Sequence, residues 1–223
     1  MQKDIHQDVL RKLDHPVDFY TISPDEAAAV GADITEENPF QCERVPGGWR
    51  IYISKELGDI EQAEAAAYEL ARLLLKAEGL YMVNLGEMWT DKYLAQAINN
   101  VITDRFVVDK LRNDYAIGNE LMIKLKKPLL EDSQRLIEEY QDESVMLYGL
   151  GLSLLNLATI WPEKRAKIET VIEDSDKVKK AYQLGEELLL YPEYTISPEE
   201  QWSRISRFLG ELGYDKEEAR LSQ

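Results

Sequence analysis

Every strand-like pattern in this chain of 223 residues falls within its first quarter, and everything from Asp59 onward carries helical periodicity. That segregation is what most narrows the possible folds. Strands gathered at one end cannot alternate with helices to build a parallel βαβ sheet, so they must form a small sheet covered by the helices that follow. The clearest strand signal is the hairpin "FQCERVPGGWRIYIS", in which Phe40 to Val45 and Trp49 to Ser54 flank the turn residues Pro46, Gly47 and Gly48. Trp49, Ile51 and Ile53 alternate, which predicts one core-facing side for the second strand. "HPVDFYTIS" reads as a further strand, and residues 3 to 14 before it as a short helix.

Helix punctuation is equally plain. In "SPDEAAAVGA", Ser23 is placed to cap, Pro24 occupies the first turn and Gly31 ends the helix. The phrase "YTISPDEA" from Tyr20 is echoed by "YTISPEEQ" from Tyr194, which reads as repeated helix-start chemistry rather than an internal repeat. Further helices are predicted over 59 to 78, 90 to 114, 117 to 140, 143 to 160, 163 to 190 and 197 to 212. The expected fold is a predominantly helical α+β chain: a small N-terminal antiparallel or mixed sheet packed on long helices, with a helical C-terminal half. A division into residues 1–115 and 116–223 follows from that layout, the second part being a helical region that can also be read as part of the same domain.

Charge and composition remove several function classes. With 42 acidic against 26 basic residues the net charge is -16, which repels phosphate backbones and anionic membranes, so neither nucleic acid nor a membrane surface is an expected partner. "VMLYGLGLSLLNLATIW" is the most apolar run, but it is short and holds Gly149, Gly151, Ser153 and Asn156, so it reads as a buried helix. The single Cys42 allows no internal disulfide and fits a reducing, cytoplasmic setting. His6 and His15, nine residues apart, suit no metal pair, and neither a nucleotide-binding glycine loop nor a serine or cysteine triad is recognisable.

The stretch "YELARLLL", Tyr68 to Leu75, follows the hairpin directly. Zinc peptidases place two histidines four apart on such a helix, with a glutamate beside the first to activate the metal-bound water. Here Tyr68 and Arg72 stand at the histidine offsets, and Glu69 at the glutamate's. A phenol that titrates near 10 and a permanent cation are poor zinc ligands, so no metal and no cofactor is expected. On helical spacing, Ala63, Ala66, Ala67, Leu70, Leu74 and Ala77 form the core-facing stripe. Tyr68 and Arg72 then point away from it, and Glu69 with Arg72 reads as a surface pair.

The run "GWRIYISKELGDIEQAEAAAYELARLLLKAEGLY" resembles the strand, loop and active-site helix of zincin-like metallopeptidases, in particular small bacterial and phage domains of the ImmA/IrrE kind. The resemblance covers about residues 40–112. It implies that Glu69 occupies the general-base position, that Tyr68 and Arg72 replace both metal ligands, and that a third ligand would be sought near Thr103 or Asp104. Asp104 beside Arg105 also reads as solvated charge. Trp89 in "NLGEMWTDKY" would lie in a loop where such a cleft opens, and Trp49 at the start of the neighbouring strand.

The resulting expectation is a catalytically inactive metallopeptidase-like protein, a pseudoenzyme that binds a protein or peptide, with β-strand addition beside Trp49 to Ser54 as the mode. The alternative is an acidic helical interaction protein that captures a basic partner, with the peptidase likeness accidental.

Overall fold

The computed structural model describes residues 4–193, 196–214 and 219–222. Lys3, at the head of the first predicted helix, and Tyr194 and Thr195, within the echoed phrase, lie outside them. The fold is a predominantly helical α+β arrangement with a small mixed sheet near the N-terminus. The chain forms two compact units, one of residues 1–78 and 107–125, the other of 79–106 and 126–223. The units do not follow a single cut at residue 115, because the chain changes unit inside two helices.

The first unit opens with α1 (Ile5–Leu13), β1 (Val17–Ile22) and α2 (Pro24–Val30). Ser23 caps α2 reciprocally: its hydroxyl accepts from the Glu26 amide at 3.3 Å, and the Glu26 carboxylate accepts from the Ser23 amide at 2.8 Å. Gly31 ends α2 with φ 76°, a conformation that costs other residues steric strain. The hairpin strands are β2 (Phe40–Val45) and β3 (Gly48–Ser54), in antiparallel register with Phe40 opposite Ile53 and Arg44 opposite Trp49. β1 joins the other side of β3 in parallel, so the strand order is β1-β3-β2.

A central strand is covered on both faces, and here β3 departs from the single-faced expectation. Ile51 and Ile53 are buried on one side, while Tyr52 is buried on the other among Ala27, Ala32 and Ile34. The long helix α3 (Asp59–Ala77) packs on the first of these faces, with α1 beside it. The C-terminal turns of α4 (Trp89–Lys110) lead into a π-helical segment, Leu111–Tyr115, that ends at Ala116 with φ 58°. The Tyr115 hydroxyl donates to Asp8 at 2.9 Å, tying that segment to α1.

The second unit is built around α6 (Ser144–Ile160), whose apolar run is buried as its composition predicts. Its glycines allow close packing. A Cβ at Gly149 would meet the Tyr93 ring at 2.1 Å, and one at Gly151 would meet the Val178 carbonyl of α8 (Asp176–Leu188) at 2.4 Å. The predicted 163–190 helix is divided into α7 (Arg165–Ile172) and α8, because Ser175 caps α8 through the Val178 amide. α5 (Glu120–Glu139) and α9 (Pro198–Glu211) complete the helices. Strands are not confined to the first quarter: β4 (Met82–Asn84) pairs antiparallel with β5 (Arg220–Ser222). Asn99 supports β4 with a bond to the amide of Val83 at 2.8 Å and to its carbonyl at 2.9 Å. Among the described residues, no single helix is long and apolar enough to cross a membrane.

Candidate functional site

The side of α3 that carries Tyr68 and Arg72 faces the sheet. Tyr68 is buried, with its ring 5.7 Å from that of Phe40 on β2. One turn further, Arg72 pairs with Glu69 at 3.6 Å, the two side chains 24% and 7% exposed. A further turn brings Lys76 over the Trp49 indole, its Nζ 5.5 Å from the ring centroid. Residues 68, 72 and 76 recur every four positions and Glu69 lies three before Arg72, so all four fall within about 100° of one helical face. This overturns two readings. The buried positions on α3 run through Ala65, Ala67 to Ala71 and Leu73 to Leu75, so the helix is enclosed almost all round, while Ala63 and Ala77 of the supposed core stripe are exposed. Glu69 and Arg72 are an interior pair rather than a surface one. Periodicity alone could not reveal this, since a helix with a sheet on one side and helices on others has more than one buried face.

The chemistry of the layer follows from its composition. Tyr68 presents a phenol, Arg72 a guanidinium and Glu69 a single carboxylate, so the donor set does not fit zinc, which favours neutral imidazole or thiolate. Among the described residues no group of three or more histidines, cysteines, aspartates and glutamates is placed to hold a metal ion. Cys42, on the α3-facing side of β2, is no substitute ligand: burial, with the Glu69 charge as the next cause, pushes its thiol up to about 12. Behind Tyr68 lies a cavity of about 10 Å³, lined among others by Glu64, Leu111, Asn119 and Leu121. That is room for one water molecule and too little for a peptide side chain.

β3 is also unavailable to a peptide, since β1 and β2 occupy both its edges. β1 and β2 are the two margins of the sheet. The Trp49 amide donates to the Pro16 carbonyl at 3.0 Å and the Lys55 amide to the Ile22 carbonyl at 2.9 Å. In this parallel register, residues 16, 18, 20 and 22 therefore direct their backbone groups to β3. Val17, Phe19 and Thr21 direct theirs outward, and among the described residues no strand pairs with them. Phe19 and Tyr20 are each 40% exposed on this strand.

Of the residues singled out from the sequence, Tyr68, Glu69, Arg72 and Trp49 come together in the first unit. Trp89 belongs to the second. It begins α4 rather than lying in a loop, is 65% exposed, and stacks on Tyr93 with ring centroids 5.9 Å apart. Asp104 is not solvated either. It is 1% exposed, accepting from Lys126 Nζ at 2.7 Å and from Asn156 Nδ2 at 2.7 Å, with the Thr103 hydroxyl 3.3 Å away. This network joins α4, α5 and α6 within the second unit, whereas the Glu69 layer belongs to the first. The outward edge of β1 was missed because an edge cannot be told from a centre in one strand's pattern. A signal for Lys76 existed, in its spacing of four from Arg72 and seven from Glu69.

Comparison with protein families, curated proteins and solved structures finds no match to this chain.

Proposed function

We propose that this chain is a peptide-binding protein with a metallopeptidase-like helix that has no hydrolytic role, and that its occupant is an extended basic segment added to the free edge of β1. The observation that carries the proposal is the outward set of backbone groups at Val17, Phe19 and Thr21, flanked by the exposed Phe19 and Tyr20 side chains. Backbone pairing gives such an edge affinity for any extended chain, and side-chain contacts select among them. Asp18, exposed on β1 itself, and the net charge of -16 favour lysine and arginine in the partner. The packed state of the α3 layer supports the absence of hydrolysis. Tyr68 rests on Phe40 and Arg72 holds Glu69, so the carboxylate has neither a metal-bound water to activate nor an open approach. A reducing, cytoplasmic setting agrees with the lone, unreactive Cys42.

The test uses a labelled hexapeptide of alternating lysine and valine. Binding is expected to slow hydrogen exchange at the amides of Val17, Phe19 and Thr21 and to leave the peptide intact. Thr21→Pro removes one outward N–H without touching the ladder to β3, and should abolish binding while the fold persists. Unchanged exchange at those amides would refute the edge as the site, and cleavage of the peptide would refute the inactive helix.

A further inference from the structure

On the central strand β3, Trp49 is approached by two cations. The guanidinium carbon of Arg44 lies 5.8 Å and Lys76 Nζ 5.5 Å from the indole centroid. Arg44 is held there by its register, directly across from Trp49 in the hairpin, and Lys76 by α3, one turn beyond Arg72. Trp49 and Lys76 are half-buried and Arg44 is exposed, so the cluster is reachable from solvent. Lys76 feels both Arg72 and Glu69, and that carboxylate is already engaged by Arg72 at 3.6 Å. Among the described residues neither Arg44 nor Lys76 forms an ion pair, in a chain that carries 42 acidic residues. Elsewhere in the same unit the lysines are matched: Lys12 and Lys110 to Glu78, Lys55 to Glu26, and Lys124 to Glu61.

The cluster is therefore electrostatically incomplete. Burial, and then the Arg72 charge, lower the Lys76 pKa, with only a smaller opposing pull from Cys42 and Glu69, so its ammonium is held against desolvation and a like charge without a direct ion pair. Two positive charges without ion pairs beside a flat aromatic wall match a dianion better than a monoanion. A phosphate monoester carries about -1.5 to -2 charge at pH 7 and offers several acceptor oxygens to a guanidinium and an ammonium.

We infer that Arg44, Lys76 and Trp49 form a binding site for a phosphate-type dianion, with Arg44 and Lys76 gripping its oxygens and the indole walling one side. This goes beyond the β1 edge, which lies on another strand and selects a cation-bearing chain. Free phosphate and a phosphomonoester share the chemistry, and the experiment separates them.

The full chain is titrated with inorganic phosphate and, separately, with phosphoserine, at constant ionic strength kept with sodium chloride. The Trp49 indole N–H resonance, assigned with Trp49→Phe, reports binding. A saturable shift is expected, with Lys76→Met and Arg44→Met each weakening it by about tenfold, the scale of one lost charge-assisted contact. Tighter binding of phosphoserine assigns the site to a monoester, and tighter binding of inorganic phosphate to the free ion. Circular dichroism checks that the variants fold, and Arg44→Met, at an exposed strand position, serves if Lys76→Met does not. No saturable shift, an equal response to acetate, or affinity unchanged in a folded variant would overturn the site.

Discussion

Beneath the sheet of the first unit, Glu69 meets Arg72 at 3.6 Å, with the arginine side chain about a quarter exposed and two further cations close by. Between α4, α5 and α6 of the second unit, Asp104 meets Lys126 and Asn156 at 2.7 Å each, with the carboxylate only 1% exposed. The first layer is half-open and carries an excess of one sign. The second is sealed and its charges are matched, with the Asn156 amide oxygen the one atom of the trio left without a donor. Burial of a charge is tolerated where hydrogen bonds and a counter-ion surround it, and such a site fixes packing rather than binding ligands. A half-open layer with unmatched charge is the kind of place where a ligand can supply what is missing.

The contrast can be broken most directly at its sealed end. Asp104→Ala would leave the Lys126 ammonium and the Asn156 amide without their acceptor, and should cost about 3–5 kcal/mol of stability in a urea titration. Replacing the set together, with Asp104→Leu, Lys126→Met and Asn156→Leu, should recover most of that loss, because no buried polar group is then orphaned. A triple variant as unstable as Asp104→Ala would show that the network does more than satisfy itself.

Glu69→Gln tests the half-open end and should cost less, about 1–2 kcal/mol, since Arg72 can turn its guanidinium to water. Peptide binding at β1 should be unaffected. A loss as large as that of Asp104→Ala would mean that the two interiors are equally sealed.

The smallest effect concerns Cys42, which lines the same layer as Glu69. Its thiol is raised by burial to about 12, so the neutral form is favoured in the folded state. The sign follows from linkage: a group with a raised folded pKa contributes stability that is complete below its unfolded value, near 9, and lost as pH climbs towards 12. Cys42→Ala should therefore be more sensitive to a cavity at pH 7 than to alkali, and its denaturation midpoint should fall less between pH 8 and pH 10 than that of the native chain. An equal fall in both would place the thiol in contact with water.

Much of the architecture was legible along the chain. The β2 and β3 hairpin, the Ser23 cap with Glu26, the buried α6 and the order of most helices rest on local chemistry, where neighbouring residues decide the outcome. β4 was not legible, because three residues have no period to display, and its partner β5 lies far along the chain. The division between α7 and α8 was hidden for a different reason. Asp174 and Asp176 continue a helical pattern on either side of Ser175, and only the cap reveals the break.

The candidate site shows the same limit more sharply. By itself the sequence determined which side chains share the Tyr68, Glu69, Arg72 and Lys76 face, because helical spacing is a property of the backbone. It also determined that zinc has no suitable ligands there, because side-chain chemistry does not depend on the fold. Only the tertiary structure decided that this face looks onto the sheet, that β3 is central and β1 an edge, and that Asp104 is sealed while Arg44 and Lys76 lack a carboxylate. Those outcomes depend on which distant elements come to lie against one another, and burial and charge balance are set by these neighbours and not by the residue's own place in the chain.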